Sequence, residues 1–88
     1  MIIPDANILL YAYNADAPQH DRAAAWAKEL FSSAETIGLA WVTLWAFLRI
    51  STNSRIWPNP KSPAEAFDAV KSWLRLPDAV VLHPGERH

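Results

Sequence analysis

An α/β fold is predicted, with a parallel sheet flanked by helices. Three observations predict it. Short apolar runs alternate with helical patterns in the order β-α-α-β-α-α-β, and strands separated by helices require parallel pairing through crossovers. The run Thr36-Ile37-Gly38-Leu39-Ala40-Trp41-Val42 is almost continuously apolar, as suits a strand buried on both faces. Ser62-Pro63-Ala64-Glu65 is a capping box with proline at the first helical position, so it marks a helix start.

Met1–Asp5 is expected to be a very short strand, since Ile2 and Ile3 are β-branched and apolar. Pro4 cannot donate to a ladder and fits where pairing ends. Ala6–Tyr13 reads as a short helix, and Asn14, Asp16 and Pro18 break it. From Gln19 to Ser32, Ala23, Trp26, Ala27 and Leu30 recur on one helical face. Glu35–Val42 is the second strand. Thr43 opens another helix, on which Leu44, Phe47, Leu48 and Ser51 keep the helical spacing, with Trp45 and Arg49 on an adjoining face. Thr52–Lys61 is a loop rich in Asn and Pro. The helix after Ser62 carries an apolar stripe of Ala66, Phe67, Val70, Trp73 and Leu74. Leu76-Pro77-Asp78 stops it, and Ala79–Leu82 is a third buried strand. His83-Pro84-Gly85 turns out of that strand, and Glu86-Arg87-His88 begins a further element.

Composition narrows the function classes. The chain has 88 residues, enough for one small domain, and 51% are hydrophobic. A domain of this size buries only roughly two thirds of its unfolded surface, so a partner would help it. Eight basic and nine acidic residues give a net charge of −1, which is no overall nucleic-acid signature. Without cysteine there is no disulfide framework and no thiolate metal site. No apolar run reaches the ~20 residues of a membrane span, and no charged region precedes the first strand, so a cytoplasmic protein without membrane contact is expected.

Asp5 is the first candidate for chemistry. A carboxylate between a strand and a helix stands at the carboxyl edge of the sheet, where open α/β folds place their sites. It can ligate a hard cation through oxygen, or it can cap the following helix. Asn7 can orient Asp5 or serve as a turn residue. Arg49 and Arg55 flank the loop after the third helix and can contact phosphate, or pair with surface acids. Trp41 and Trp45 read most simply as core residues and Trp57 as an interface residue, within a load of five tryptophans. Asp16, Asp21, Glu29, Glu35, Glu65 and Asp68 all have ordinary turn, cap or surface roles. His20 and His83 share no metal-ligand spacing. No glycine-rich phosphate loop and no nucleophile elbow is present.

Together these pieces resemble a known family. Ile2-Ile3-Pro4-Asp5-Ala6-Asn7-Ile8-Leu9-Leu10-Tyr11-Ala12 is similar to the first motif of PIN-domain toxins. The stretch from Ala40 to Asn53, the Ser54–Trp57 loop and the closing Leu82-His83-Pro84-Gly85 resemble the mycobacterial branch of VapC toxins. The resemblance implies a single PIN-like α/β/α domain over 1–88 that lacks the family's C-terminal third. It further implies a cytoplasmic toxin of a type II toxin–antitoxin pair, acting as an endoribonuclease with Mg²⁺ or Mn²⁺. A VapB-like antitoxin, an RNA substrate and a homodimer are the implied partners. In the family, carboxylates hold metal that activates water against an RNA phosphodiester. Asp5 falls on the first of those acids, so it is the implied catalytic and metal residue, with Asn7 beside it. The second acid has no counterpart, because Phe47 stands before Leu48, and the remaining acids lie past the third strand. With one carboxylate in place, this chain is expected to be weakly active or inactive. A second class of function stays open: a degenerate toxin that binds an antitoxin through its aromatic helix faces. A phosphatase using Asp5 as nucleophile is a third, and it lacks the second aspartate that such an enzyme wants.

Overall fold

A computed structural model describes residues 1–83 of the chain. Six elements follow one another: α1 (Ala6–Tyr13), α2 (His20–Ser32), β1 (Ile37–Ala40), α3 (Trp41–Ser51), α4 (Pro63–Leu74) and β2 (Ala79–Leu82). The fold is α/β with a parallel sheet and is compatible with the first part of a PIN-like domain. The turn expected at Pro84-Gly85 and the element expected at 86–88 lie outside the described residues.

β1 is the middle of the sheet. It pairs with β2 in parallel, from Ile37 opposite Ala79 to Ala40 opposite Leu82. On its other side Ile2 forms a single parallel bridge to Ile37. The Ile2 N–H donates to the Thr36 carbonyl and the Gly38 N–H to the Ile2 carbonyl, both at 2.8 Å. The expected first strand is therefore reduced to one bridge. Alternate residues of a parallel strand bond to the same neighbour, so the next donor after Ile2 would be Pro4, which has no N–H. Gly38 also lets this layer close. A Cβ there would meet Met1 Sδ at 2.8 Å, Leu82 Cδ1 at 3.0 Å and Ile3 Cγ1 at 3.1 Å.

Two further expectations need correction. β1 ends at Ala40 and helix begins at Trp41, not Thr43, because β2 offers only four residues to pair. Trp41 and Val42 are consequently exposed on the first turn of α3. β2 is not a buried strand: only β1 pairs with it among the described residues, and Val80 is exposed.

α4 starts as its sequence requires. The Glu65 N–H donates to Ser62 Oγ at 3.1 Å, and the Ser62 N–H donates to Glu65 Oε1 at 3.0 Å. The backbone hydrogen bond from Ser62, then its side chain, hold the Glu65 carboxyl below its ordinary pKa. The helix buries Ala66, Ala69, Val70 and Trp73. Phe67 and Leu74, expected in the same stripe, point outward instead.

The core lies where α1, α3 and α4 meet. Trp73, 1% exposed, packs edge-on against Phe47 with ring centroids 4.7 Å apart and against Tyr13 at 5.2 Å. Its indole N–H donates to the Tyr13 hydroxyl at 2.7 Å, so burial leaves the donor satisfied. Leu9, Leu10, Leu39 and Leu44 complete this cluster. The loop after α3 is pinned by Trp57, whose indole N–H donates to the Ile50 carbonyl at 3.1 Å, and by the Asn59 N–H, which donates to Asp16 Oδ2 at 3.1 Å.

Candidate functional site

The sheet's carboxyl edge gathers the ends of its elements. Asp5 follows the Ile2 bridge and stands at the N-terminus of α1. Trp41 opens α3 directly from β1, and His83 follows β2. The topology thus brings Asp5, Trp41 and His83 to one edge of the sheet, which is where α/β folds bind ligands.

Asp5 is exposed and acts as the cap of α1: its Oδ1 accepts the Asn7 N–H at 2.8 Å. Capping fixes the carboxylate at the N-terminal end of α1. Asn7 meets Asp5 through its backbone rather than its side-chain amide. The arginines stand elsewhere. Arg49 is exposed in the last turn of α3, about 12 Å along the helix axis from Trp41. Arg55 is exposed in the following loop, where its N–H donates to Asn53 Oδ1 at 2.9 Å.

A divalent metal makes specific demands on this donor set. Mg²⁺ needs near-octahedral oxygen coordination, met by carboxylates together with substrate phosphates and water. Among the described residues no group of three or more His, Cys, Asp or Glu is close enough to hold an ion. The described residues therefore do not make a metal site by themselves. Phe47 is fully buried against Tyr13 and Trp73, in a place where a carboxylate would lie in the core.

The tryptophans reverse their expected places. Trp57 is in the core at 9% exposed, while Trp41 and Trp45 are 52% and 60% exposed. Trp41, Trp45, Leu48, Phe67 and Leu74 line an apolar groove between α3 and α4, occupied by cavities of about 270 and 220 Å³. Sequence reasoning missed this groove. The available signal was the Trp45–Arg49 pair, one helical turn apart on a face adjoining the buried one.

No protein-family model matches the chain. Individual relatives do. Ribonuclease VapC33 of Mycobacterium tuberculosis is 43% identical over all 88 residues, which are 62% of its own length. The chain is similar to VapC ribonucleases along its whole length. Ribonuclease VapC37 of the same organism is 40% identical over the whole chain, which is 61% of its length, and ribonuclease VapC43 is 39% identical over 60%. The VapC-like chain thus spans about three fifths of the length of the curated relatives it matches, and corresponds to their N-terminal part. The parallel sheet and its helices are compatible with the N-terminal part of a PIN-like fold. Among the described residues no helix is long and apolar enough to cross a membrane.

Proposed function

We propose that this chain is the N-terminal part of a PIN-domain ribonuclease toxin of a type II toxin–antitoxin pair. The observation that carries the reading is whole-chain similarity to several VapC ribonucleases. Asp5, at the strand–helix junction on the sheet's carboxyl edge, fits that reading. Residues 1–88 belong to a single domain, working in the cytoplasm on RNA. A VapB-like antitoxin inhibits it, and two copies pair.

Asp5 is the catalytic carboxylate and metal ligand of this part, with Asn7 setting its position. The ion, Mg²⁺ or Mn²⁺, requires further oxygens from outside the described residues, and when bound it supplies activation of water. Arg55, exposed on the loop after α3, contacts RNA phosphate. Arg49 shares that expectation from sequence, yet it lines the α3–α4 groove, and apolar neighbours there suit a protein interface better.

The test is RNA cleavage by the native protein purified from its own cell, with and without Mg²⁺. Asp5→Asn is expected to lower cleavage by about 100-fold or more, the scale of losing several kcal/mol of metal-assisted stabilisation. Strong Mg²⁺-dependent cleavage by the 88-residue chain alone would overturn the need for further carboxylates.

A further inference from the structure

The cleft between α1 and α2 holds a cavity of about 300 Å³, at the lower end of the range for small-molecule sites. Ile8 and Tyr11 line it from α1, and Gln19, Arg22, Ala23 and Trp26 line it from the start of α2. The two helices are firmly joined. Ala12, Ala23 and Ala27 form a small buried cluster, so the helix backbones approach closely. The His20 Nδ1–H donates to the Tyr11 carbonyl at 2.9 Å and ties the start of α2 to α1. A site on such elements is held more rigidly than one on a loop.

The lining has the chemistry that holds a base. Each helix supplies one aromatic ring, Tyr11 and Trp26, and Trp26 is 36% exposed. Gln19 supplies an amide that both donates and accepts. Arg22 is exposed and is the one charged residue on this lining, among the described residues. A flat ring, a hydrogen-bonding edge and an adjoining anion define a nucleotide, and proteins hold unpaired bases with aromatic rings and arginine. An apolar side chain from a protein partner would use neither the amide nor the guanidinium. The charge reverses on the other side of Trp26, where a cavity of about 210 Å³ is lined by Glu29 and Glu35 and disfavours phosphate. Position ties the Arg22 side to Asp5: Ile8 and Tyr11 lie three and six residues along the chain from it, about 4.5 and 9 Å of helix rise.

We infer that the α1–α2 cavity binds one unpaired base of the RNA beside the cut, stacked on Trp26 and Tyr11. Gln19 meets the base edge, and Arg22 meets an adjoining phosphate. The inference rests on the ribonuclease reading above and names where one base of that substrate sits.

The test uses the native protein with Mg²⁺ chelated, so that RNA binds without being cut. A short single-stranded oligoribonucleotide carries thiouridine at one position at a time. Near-ultraviolet light is expected to cross-link a position beside the cleavage site to Tyr11 or Trp26, mapped by mass spectrometry. Trp26→Ala is expected to weaken binding about tenfold, and Trp26→Phe, which keeps a ring, to retain most of the affinity. Arg22→Gln is expected to flatten the slope of log affinity against log salt by about 0.7, one phosphate contact on a single strand. Cross-links confined to residues outside α1 and α2 would overturn the proposal. So would unchanged binding in Trp26→Ala with an unchanged slope in Arg22→Gln, or a Trp26 that only the cognate antitoxin covers. Cleavage by the parent leaves the ribonuclease reading standing in each of these cases, whereas a parent that neither binds nor cuts RNA overturns both.

Discussion

Trp73 and Trp45 sit on neighbouring helices and meet opposite fates. Trp73 is sealed between Tyr13 and Phe47, with its N–H on a hydroxyl. Trp45, across the α3–α4 contact, keeps most of its ring in water. Hydrophobicity alone does not separate the two, since both are tryptophans on helices that carry apolar stripes. What separates them is cover: α1 lies over the Phe47 side of α3 and over Trp73, and nothing among the described residues lies over the Trp41–Trp45 side. The inner aromatics therefore stabilise the fold, and the outer ones are available for contact.

That division is broken most severely at its buried end. Trp73→Ala is expected to cost ~3–5 kcal/mol and to leave little folded protein, read by urea unfolding. α4 presents both faces, so weakening its start perturbs the inner and outer sides together. Ser62→Ala removes one cap bond and is expected to cost ~1 kcal/mol. The same cap gives α4 an acid-sensitive start. The Glu65 pKa is lowered in the folded chain, so its contribution is present above the unfolded value and is lost as pH falls through the folded one. Far-ultraviolet dichroism should thus fall more steeply on acidification in the parent than in Glu65→Gln. The smallest expected effect is at Trp45. Trp45→Ala should change stability by within ~0.5 kcal/mol, read by urea unfolding, because the ring is mostly exposed.

Much of the architecture was legible wherever a local rule acts alone. The capping box placed the start of α4, and the alternation of runs implied a parallel sheet around Ile37–Ala40. Pro4 foretold an early end to the first strand, though not that pairing would shrink to Ile2. The start of α3 was not legible, because Trp41 and Val42 suit a strand as well as a helix, and the four-residue reach of β2 decides between them. Nor was the direction of Phe67, Leu74 and Trp57, which depends on which neighbour covers each face. Within the candidate site, the place of Asp5 between strand and helix was readable, and the structure shows it capping α1. No further ligands of the site were legible, and among the described residues no group of three or more His, Cys, Asp or Glu could hold an ion.

The most direct measurement is Mg²⁺-dependent cleavage of a labelled RNA by the native protein, compared with its Asp5→Asn variant at matched far-ultraviolet dichroism. The account expects cleavage in the parent, its loss in Asp5→Asn, and none from residues 1–88 alone. Equal cleavage by Asp5→Asn would contradict it, because the proposed metal-binding carboxylate would then have no part in the chemistry.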